Sequence, residues 1–332
     1  MLKKLFSKRA IIFMYHRIVD PDIDPWGLAV SPVNFEQQLR VLASSYNTSY
    51  TKDIISQVHN RKLKRNCVAL TFDDGYQDNF VSAKPLLERY NIPATFFIPT
   101  GNLDQEKLFW WDELMNIILR STNLPNNFEL SMEGEQLSFS INGEEQLTAE
   151  LSAKHKNWSQ PDQPPTKRSF LFKTLWQKMQ CSPPQKIENL LYEIKNYVGV
   201  HFEQVNEIDT LMTTEQLMEL SSDSLFDLGL HTFNHLDLSH YSADIQENEI
   251  VQNKKDLESI ANKEINALAY PYGEYNSTTI NIGKKLGLQA AFTVKQKPVS
   301  YLSNPFKLGR FQVRNWNGEQ FEKHLRQWLK QS

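Results

Sequence analysis

Short apolar runs alternate with segments of helical pattern along most of the chain. The apolar runs predict buried strands at residues 10–15 (AIIFMY), 67–72 (CVALTF), 94–98 (ATFFI), 224–230 (SLFDLGL), 267–270, 290–294 and 309–313. The helical patterns predict helices at residues 35–43, 83–90, 245–261 and 279–286. Strands that alternate with helices indicate an α/β fold on a parallel sheet, either a barrel or a doubly wound sheet.

Residues 101–212 interrupt this alternation. They contain a Trp-rich helical segment at 109–114, a polar alternating stretch at 128–141, a Pro/Gln/Ser-rich linker at 159–166 and helical segments at 169–179 and 187–198. We therefore predict an insertion or lid at 101–212, a core made of 10–100 and 213–315, and a C-terminal helix within 316–332. Trp110 and Trp111 predict packing along one helix face, with stacking on a sugar ring as the alternative.

Composition narrows the possible functions. The 332 residues carry a formal net charge of −3, which gives no field suited to nucleic acid. The two cysteines, Cys67 and Cys181, cannot make a disulfide framework. Cys67 stands at the start of an apolar run and is expected to be a reduced, structural thiol.

The N-terminal residues bear on cellular location. Residues 1–9 are basic, but the apolar run at 10–15 is only six residues long and leads into His16 and Arg17, so we expect no export signal. No window reaches the roughly 18 apolar residues of a membrane span. We therefore expect a cytoplasmic protein, with residues 1–9 as a solvated lead-in or as a peripheral contact with the inner membrane face.

Two adjacent acids, Asp73 and Asp74, directly follow the predicted strand at 67–72, and Gly75 follows them. At a strand end closed by a glycine turn, both carboxylates can face one pocket, and barrel enzymes gather catalytic groups at such ends. One carboxylate can bind a metal while its neighbour accepts a proton. The alternative is an ordinary Asp-Gly turn.

Two histidines, His231 and His235, directly follow the predicted strand at 224–230. Histidines four residues apart can reach a common ion from one side of a helical turn. An incidental surface pair is the alternative, but the strand-end position and the acidic strand end earlier in the chain favour a metal site. Asp74, His231 and His235 give three protein ligands and leave a position open for water, as in catalytic zinc sites.

A third motif, Tyr270-Pro271-Tyr272-Gly273, follows another apolar run. Pro271 and Gly273 predict a tight turn whose backbone N–H groups can point into the pocket. Such donors suit an oxyanion that develops during acyl transfer. A plain turn with packed tyrosines is the alternative for this motif alone.

Together and in this order, TFDDG, HT-x-x-H and YPYG resemble the polysaccharide deacetylases of carbohydrate esterase family 4, the NodB-homology domain. The resemblance covers about residues 10–100 and 213–315, and it implies a distorted (β/α)7-type barrel with a large, mainly helical insertion. It also implies that Asp73 is the general base and that Asp74, His231 and His235 hold a divalent metal. Tyr272 would contribute its N–H to the oxyanion hole.

The family's acid histidine lies in a Leu-x-His motif on a strand after the third motif, and this chain departs from that pattern. His324 stands in a polar C-terminal segment, and His240 of Leu238-Ser239-His240 is not on a late strand. A subset of the family that includes the poly-N-acetylglucosamine deacetylases looks circularly permuted, with this strand at the N-terminus. The strand at 10–15 delivers His16 in that manner, so we predict that His16 is the general acid. A histidine that merely caps the core is the alternative.

The family's fourth motif, an Asp/Trp segment that orients the acid, is not clear here. Residues 309–316 (GRFQVRNW) occupy a plausible place, where Arg310 would pair with Asp73 and lower its pKa. A surface arginine is the alternative. Pro271 and Arg310 complete the predicted site as groups that bind substrate or orient the base.

These features predict metal-dependent removal of acetyl from an N-acetylhexosamine, in a glycan or lipid-linked sugar destined for a cell-surface polysaccharide or lipopolysaccharide. The expected ion is Zn²⁺, with Co²⁺, Ni²⁺ and Mn²⁺ as alternatives. Two other functions stay open at this point. One is a catalytically silent carbohydrate-binding protein of the same fold, and the other is a related C–N hydrolase acting on a small cyclic amide. The sequence does not indicate an oligomeric state.

Overall fold

The computed structural model describes residues 8–63, 67–105, 107–132, 134–199 and 209–330. These residues divide into two compact units. The first unit holds the described residues up to Asp20, Leu28–Gln105 and those from Leu211 onward. The second unit holds Pro21–Gly27 and the described residues between Gln105 and Leu211. Most of the predicted lead-in at residues 1–9, together with residues 331–332 of the predicted C-terminal helix, lies outside the described residues.

The strands of the described residues are β1 (Arg9–Tyr15), β2 (Asn47–Thr48), β3 (Cys67–Phe72), β4 (Ala94–Ile98), β5 (Asn127–Met132), β6 (Glu135–Ser140), β7 (Phe226–Leu230), β8 (Ala267–Ala269), β9 (Ala290–Phe292), β10 (Val299–Ser300) and β11 (Phe311–Gln312). The helices are α1 (Pro32–Ser45), α2 (Thr51–His59), α3 (Lys84–Tyr90), α4 (Trp110–Met115), α5 (Ala149–Lys156), α6 (Lys167–Met179), α7 (Pro184–Val198), α8 (Thr214–Ser222), α9 (Ala243–Ala261), α10 (Ser277–Lys285) and α11 (Gly318–Trp328). No helix of this part of the chain combines the length and the apolar character needed to cross a bilayer.

One parallel sheet organises the first unit. Strands β1, β3, β4, β7, β8 and β9 lie side by side in this order and are parallel. Strand β1 also pairs with β10, which is antiparallel to it, and with β11, which is parallel. The backbone N–H of Leu308 donates to Ala291 at 3.0 Å, and that of Val313 donates to Met14 at 3.1 Å. The segment around β11 therefore connects the last strand of the row to the first. The parallel strands curl into a distorted barrel, which confirms the predicted α/β fold.

Aromatic packing fixes the strand ends that carry the site. All six residues of β3 are buried, as expected of a parallel strand covered on both faces. The ring of Phe72 stacks on Tyr15 of β1 at 5.3 Å and on Phe96 of β4 at 4.8 Å between centroids. Aromatic pairs of this kind stabilise by about 0.5–1.5 kcal/mol each beyond their buried area. Because His16 directly follows Tyr15 and Asp73 directly follows Phe72, this stack fixes the position of both residues.

The second unit has its own apolar core, and β5 and β6 form an antiparallel hairpin within it. Trp110 of α4 packs on Trp176 of α6 with ring centroids 6.0 Å apart, and Trp111 stacks on Phe109 at 4.3 Å. These contacts agree with the packing interpretation of the Trp-rich segment. A lid role for this unit stays a prediction.

Candidate metal and catalytic site

The site begins where β3 ends. Asp73 still follows the strand, because its N–H donates to the carbonyl oxygen of Tyr15 at 3.0 Å. The chain then turns through Asp74 and Gly75, both with a φ of 73°. The side chains of Asp73 and Asp74 are 2% and 5% exposed, so both carboxylates need partners inside the protein.

Asp74 finds its partners in the two histidines that follow β7. Its Oδ1 lies 3.3 Å from Nε2 of His231 and 3.3 Å from Nε2 of His235. These distances are longer than the 2.7–3.2 Å typical of N–H···O hydrogen bonds, and Oδ1 has no hydrogen-bond partner among the described residues. A buried acceptor in this position indicates a missing partner.

A divalent ion fits this arrangement. One ligand atom from each of Asp74, His231 and His235 lies within 4.8 Å of the others, and all three residues are buried. Ligands held about 2.0–2.1 Å from a tetrahedral zinc are about 3.3–3.4 Å apart by simple geometry, which is the observed Asp74–histidine spacing. One carboxylate and two imidazoles are also a donor set that zinc accepts.

Hydrogen bonds orient His231 toward the ion position. Its Nδ1 lies 2.8 Å from the carbonyl oxygen of Ala269 at the end of β8. A carbonyl can only accept, so Nδ1 carries the proton and Nε2 keeps its lone pair for a metal. The N–H of His231 donates to Oδ1 of Asn253 at 2.9 Å, which fixes the backbone as well.

Backbone strain is concentrated at this site. Four of the eight non-glycine residues with positive φ in the described chain lie here: Asp74, Thr232, His235 and Tyr272. Such conformations cost on the order of 1–3 kcal/mol each and persist only where the surroundings enforce them. The strained backbone is therefore held in place by its neighbours, as is common where side chains must converge on one point.

The pKa values of the three candidate ligands are coupled. Burial raises the pKa of Asp74, but the two histidines outweigh this effect and hold it well below its usual range. Burial lowers the pKa of His235, which favours the neutral ring. For His231 burial also acts to lower the pKa, but Asp74 and then Asp73 outweigh burial and raise it. Without an ion, His231 is therefore the ligand that most readily takes up a proton.

Asp73 is held by Arg310. The guanidinium donates to both carboxylate oxygens, from Nη1 at 2.6 Å and from Nη2 at 2.7 Å, and Arg310 is fully buried. Nη1 also donates to Oγ1 of Thr71, and Nε donates to the carbonyl oxygen of Thr293. Burial acts to raise the pKa of Asp73. The charge of Arg310, followed by that of His231, outweighs burial, so the pKa lies below its usual value. The structure therefore shows the predicted pairing and keeps Asp73 ionised.

His16 directly follows β1, beside Asp73. Its charge acts on both Asp73 and Asp74 and lowers the pKa of each. The carbonyl oxygen of His16 accepts a hydrogen bond from Nδ2 of Asn79 at 2.8 Å. Nδ1 of the ring is buried and has no hydrogen-bond partner among the described residues. Because Tyr15 pairs with Phe72 in the sheet, His16 lies next to Asp73, with no partner that orients its Nδ1 in the described part of the chain.

The other two histidines considered from the sequence have different surroundings. His240 is half-exposed, and its Nδ1 lies 3.1 Å from Asp237. The ring of His324 stacks on Trp316 in the C-terminal part of the chain, with centroids 3.9 Å apart. The acid role of His16 stays a prediction.

The Pro271–Gly273 segment forms a 3₁₀ turn after β8. The ring of Tyr272 meets the ring of His235 edge-on, with centroids 4.8 Å apart. Pro271 is buried, and Gly273 has a φ of +77° and lies against Val294. The turn therefore adjoins the candidate metal ligands, while the oxyanion role of the Tyr272 N–H stays a prediction.

Sequence reasoning missed the residues that support this site from α9 and from the helical segment that precedes α3. Asn253 binds the backbone of His231, and Asp78 receives the N–H of Ile18 at 2.7 Å and Nε of Arg17 at 2.8 Å, next to His16. The sequence signal that could have identified such residues is a set of polar residues at helical spacing on a helix face that is otherwise apolar.

The family model described as Polysaccharide deacetylase matches residues 60–126 and 185–291 of the chain. These ranges include all of the residues predicted from the three motifs: Asp73, Asp74, His231, His235, Pro271 and Tyr272. The poly-beta-1,6-N-acetyl-D-glucosamine N-deacetylase of Staphylococcus epidermidis is 31% identical over 144 residues. That alignment covers 41% of this chain and 47% of the relative.

Two solved structures share the fold along nearly the whole chain. The deacetylase PplD of Streptococcus pyogenes, solved in complex with acetate, has a TM-score of 0.60 at 19% identity, covering 96% of this chain and 98% of that one. IcaB of Ammonifex degensii has a TM-score of 0.58 at 16% identity, covering 98% of each chain. At these identities the similarity shows the fold alone.

Proposed function

Because this chain belongs to the polysaccharide deacetylase family, we propose that it hydrolyses the N-acetyl group of an N-acetylhexosamine. The observation that carries the proposal is the convergence of Asp74, His231 and His235 beside the ionised carboxylate of Asp73. Three ligands and one adjacent base are the parts that metal-assisted amide hydrolysis needs.

The proposed substrate is a glycan or a lipid-linked sugar used to build a cell-surface polysaccharide or lipopolysaccharide. The similarity to a deacetylase named for poly-beta-1,6-N-acetyl-D-glucosamine supports N-acetylglucosamine as the acetylated unit. A cytoplasmic location and a contact of residues 1–9 with the inner membrane face also remain proposals.

Asp74, His231 and His235 would hold the divalent ion, with Zn²⁺ proposed first and Co²⁺, Ni²⁺ or Mn²⁺ as alternatives. When bound, such an ion supplies Lewis acidity that polarises the acetyl carbonyl and acidifies water. The Nδ1–H of His231 stays on the carbonyl of Ala269, so this ring can donate its lone pair without changing tautomer.

The remaining groups handle protons and charge. Asp73, held ionised by Arg310, would take a proton from water as the water oxygen bonds to the acetyl carbon. His16 would give a proton to the nitrogen as the C–N bond breaks, which releases acetate and a free amine. The backbone N–H of Tyr272 would donate to the carbonyl oxygen as negative charge develops there.

Acetate release tests this function directly. Purified protein would be incubated with N-acetylglucosamine in free, nucleotide-linked, lipid-linked and oligomeric forms, before and after removal of metal by a chelator. We expect acetate from at least one form, loss of the activity with the chelator, and recovery when Zn²⁺ is added. Asp73→Asn keeps the shape of the side chain and removes the proton acceptor, and circular dichroism checks its folding because Arg310 loses its counter-charge.

Two other results would point to the other functions that the sequence leaves open. Tight binding of the sugars without acetate release would indicate a carbohydrate-binding protein of this fold. Turnover of a cyclic ureide in the absence of sugar deacetylation would indicate a different C–N hydrolase.

A further inference from the structure

Helix α9 places buried polar side chains along one face. Gln246, Glu249 and Asn253 are 1%, 7% and 0% exposed, and their spacing of three and four residues puts them on the same side of the helix. Buried polar groups are costly unless they are hydrogen-bonded, so a row of them on one helix face must have partners on the neighbouring segment. The segment that Glu249 and Asn253 meet is the loop that carries His231 and His235.

Asn253 joins two strand ends. Its Oδ1 accepts the N–H of His231 at 2.9 Å, just after β7. Its Nδ2 donates to the carbonyl oxygen of Ile98 at 2.9 Å and to Oγ1 of Thr100 at 3.1 Å, at the end of β4. The hydroxyl of Thr100 in turn donates to Asp256, one turn further along α9. The amide is thus used on both its donor and its acceptor side.

Glu249 holds the middle of the same loop. Its two carboxylate oxygens accept the N–H and the Nδ2 group of Asn234, each at 2.7 Å. Burial raises the pKa of Glu249, and the polar groups of Asn234, Phe233 and Thr232 act against this rise. Glu249 therefore holds the loop at Asn234, directly before His235.

The loop needs this support because its backbone is strained. Thr232 has a φ of 63° and His235 a φ of 55°, a region that residues other than glycine rarely occupy. A short loop with two such residues would relax if it were free to do so. Gly101 packs tightly against the loop. A Cβ added to Gly101 would lie 2.8 Å from the carbonyl oxygen of Phe233.

We infer that Asn253 and Glu249 are positioning residues that set the metal affinity of His231 and His235. Neither side chain is among the three candidate ligands. Each instead holds the loop backbone so that both Nε2 atoms remain 3.3 Å from Asp74 Oδ1. The inference rests on the proposed metal-dependent function and extends it to α9. Outer residues that orient metal ligands typically change metal affinity 10–100-fold when they are removed.

The first test compares two asparagines of one helix. Asn253→Ala removes the bonds to His231 and Ile98, whereas Asn248→Ala changes an exposed asparagine of α9. Zn²⁺ affinity would be measured by competition with a chromophoric chelator, and folding by circular dichroism of the metal-free proteins. We expect about 10- to 100-fold weaker Zn²⁺ binding for Asn253→Ala and an unchanged affinity for Asn248→Ala.

The second test compares two glutamates and keeps the inference testable if Asn253→Ala fails to fold. Glu249→Gln keeps the side-chain volume but turns an NH₂ group toward the donors of Asn234. Glu247→Gln removes a charge that pairs with Lys285 at the surface. We expect weaker Zn²⁺ binding for Glu249→Gln only.

A purely structural role would lower the melting temperature of the metal-free variants and leave their Zn²⁺ affinity unchanged. Zn²⁺ affinity within twofold of wild type in the folded Asn253 or Glu249 variant would overturn the inference. Acetate release by the wild type is measured in parallel. A wild type that binds Zn²⁺ but releases no acetate would contradict the proposed function and leave the role of α9 intact.

Discussion

Arg310 and Asp73 form a bidentate ion pair although 237 positions separate them in the chain. Both side chains are almost fully buried, so neither charge can be solvated if the other is removed. The pair joins the end of β3 to the segment that enters β11. It therefore ties these two segments together and holds the proposed base ionised at the same time.

Loss of Arg310 is expected to destabilise the fold strongly. Arg310→Ala leaves the Asp73 carboxylate buried without its cation, which should lower the free energy of unfolding by about 3–5 kcal/mol and raise the pKa of Asp73. Urea unfolding measures the first effect. The control Arg326→Ala removes an exposed arginine paired with Glu322, where little change is expected. Similar stabilities of the two variants would contradict this account of the pair.

Removal of His16 should reduce catalysis and leave the metal in place. His16→Ala removes the proposed proton donor, and general acids typically contribute about 10²–10⁴-fold to the rate. Metal content by elemental analysis and the rate of acetate release would be measured on the same sample. His240→Ala, at a half-exposed histidine, is the control. A rate near that of the wild type for His16→Ala would assign the acid role to another group.

Gly273 should be intolerant of a side chain for two separable reasons. It has a φ of +77°, and an added Cβ would lie 2.5 Å from Cγ2 and 2.9 Å from the backbone nitrogen of Val294. Gly287 has the same φ but nothing within 4 Å of the added Cβ. Gly287→Ala should therefore cost about 1 kcal/mol of stability through φ alone, and Gly273→Ala about 1–3 kcal/mol more through overpacking.

Thermal or urea unfolding of both glycine variants checks this difference. Because Tyr272 adjoins Gly273, acetate release should also fall in Gly273→Ala and stay unchanged in Gly287→Ala. Equal stability losses at the two positions would show that contact with Val294 does not constrain the turn.

Metal affinity should depend on pH through His231. Burial acts to lower the pKa of His231, but Asp74 and Asp73 raise it above the ordinary histidine value of about 6.5. A proton on Nε2 must leave before the metal can bind there. Affinity should therefore be constant above this raised pKa and fall about tenfold per pH unit below it. Chelator competition over about pH 5.5–8.5 measures this, and a flat profile would contradict the proton competition.

Local patterns predicted the parts of the fold that contain strong apolar runs. The strands at 67–72 and 94–98 match β3 and β4 residue for residue, because uninterrupted apolar runs bounded by polar residues are typical of a buried parallel strand. The three motifs also predicted the family and the enzyme class, an N-deacetylase that cleaves a C–N bond outside peptides. The family match confirms both.

Other elements depend on tertiary contacts that no local pattern contains. The predicted strand at 309–313 shortens to Phe311–Gln312, because Gly309 lies against the carbonyl oxygens of Lys295 and Lys297 instead of entering the sheet. The predicted helix at 83–90 begins earlier, as a π-helical turn at Asn79–Ala83. Helices α2, α5 and α8 were not predicted, although α2 buries Ile54, Ile55 and Val58 at helical spacing.

The candidate site also has a part that local sequence predicts and a part that depends on tertiary contacts. The ligands follow from residue type and position at strand ends. The positive φ of Asp74 and His235, by contrast, and the support that His231 receives from Asn253, arise only when distant segments meet. Hydrogen bonds between residues far apart in sequence cannot be read from spacing, so the supporting residues needed the structure.

Metal content and acetate release, measured for the neighbouring variants Asp74→Ala and Asp73→Asn, separate the proposed metal ligand from the proposed base. We expect Asp74→Ala to lose both the metal and the activity. Asp73→Asn should keep the metal and lose the activity while remaining folded by circular dichroism, although it is less stable because Arg310 loses its counter-charge. Wild-type metal content together with normal acetate release in Asp74→Ala would contradict the proposed role of Asp74.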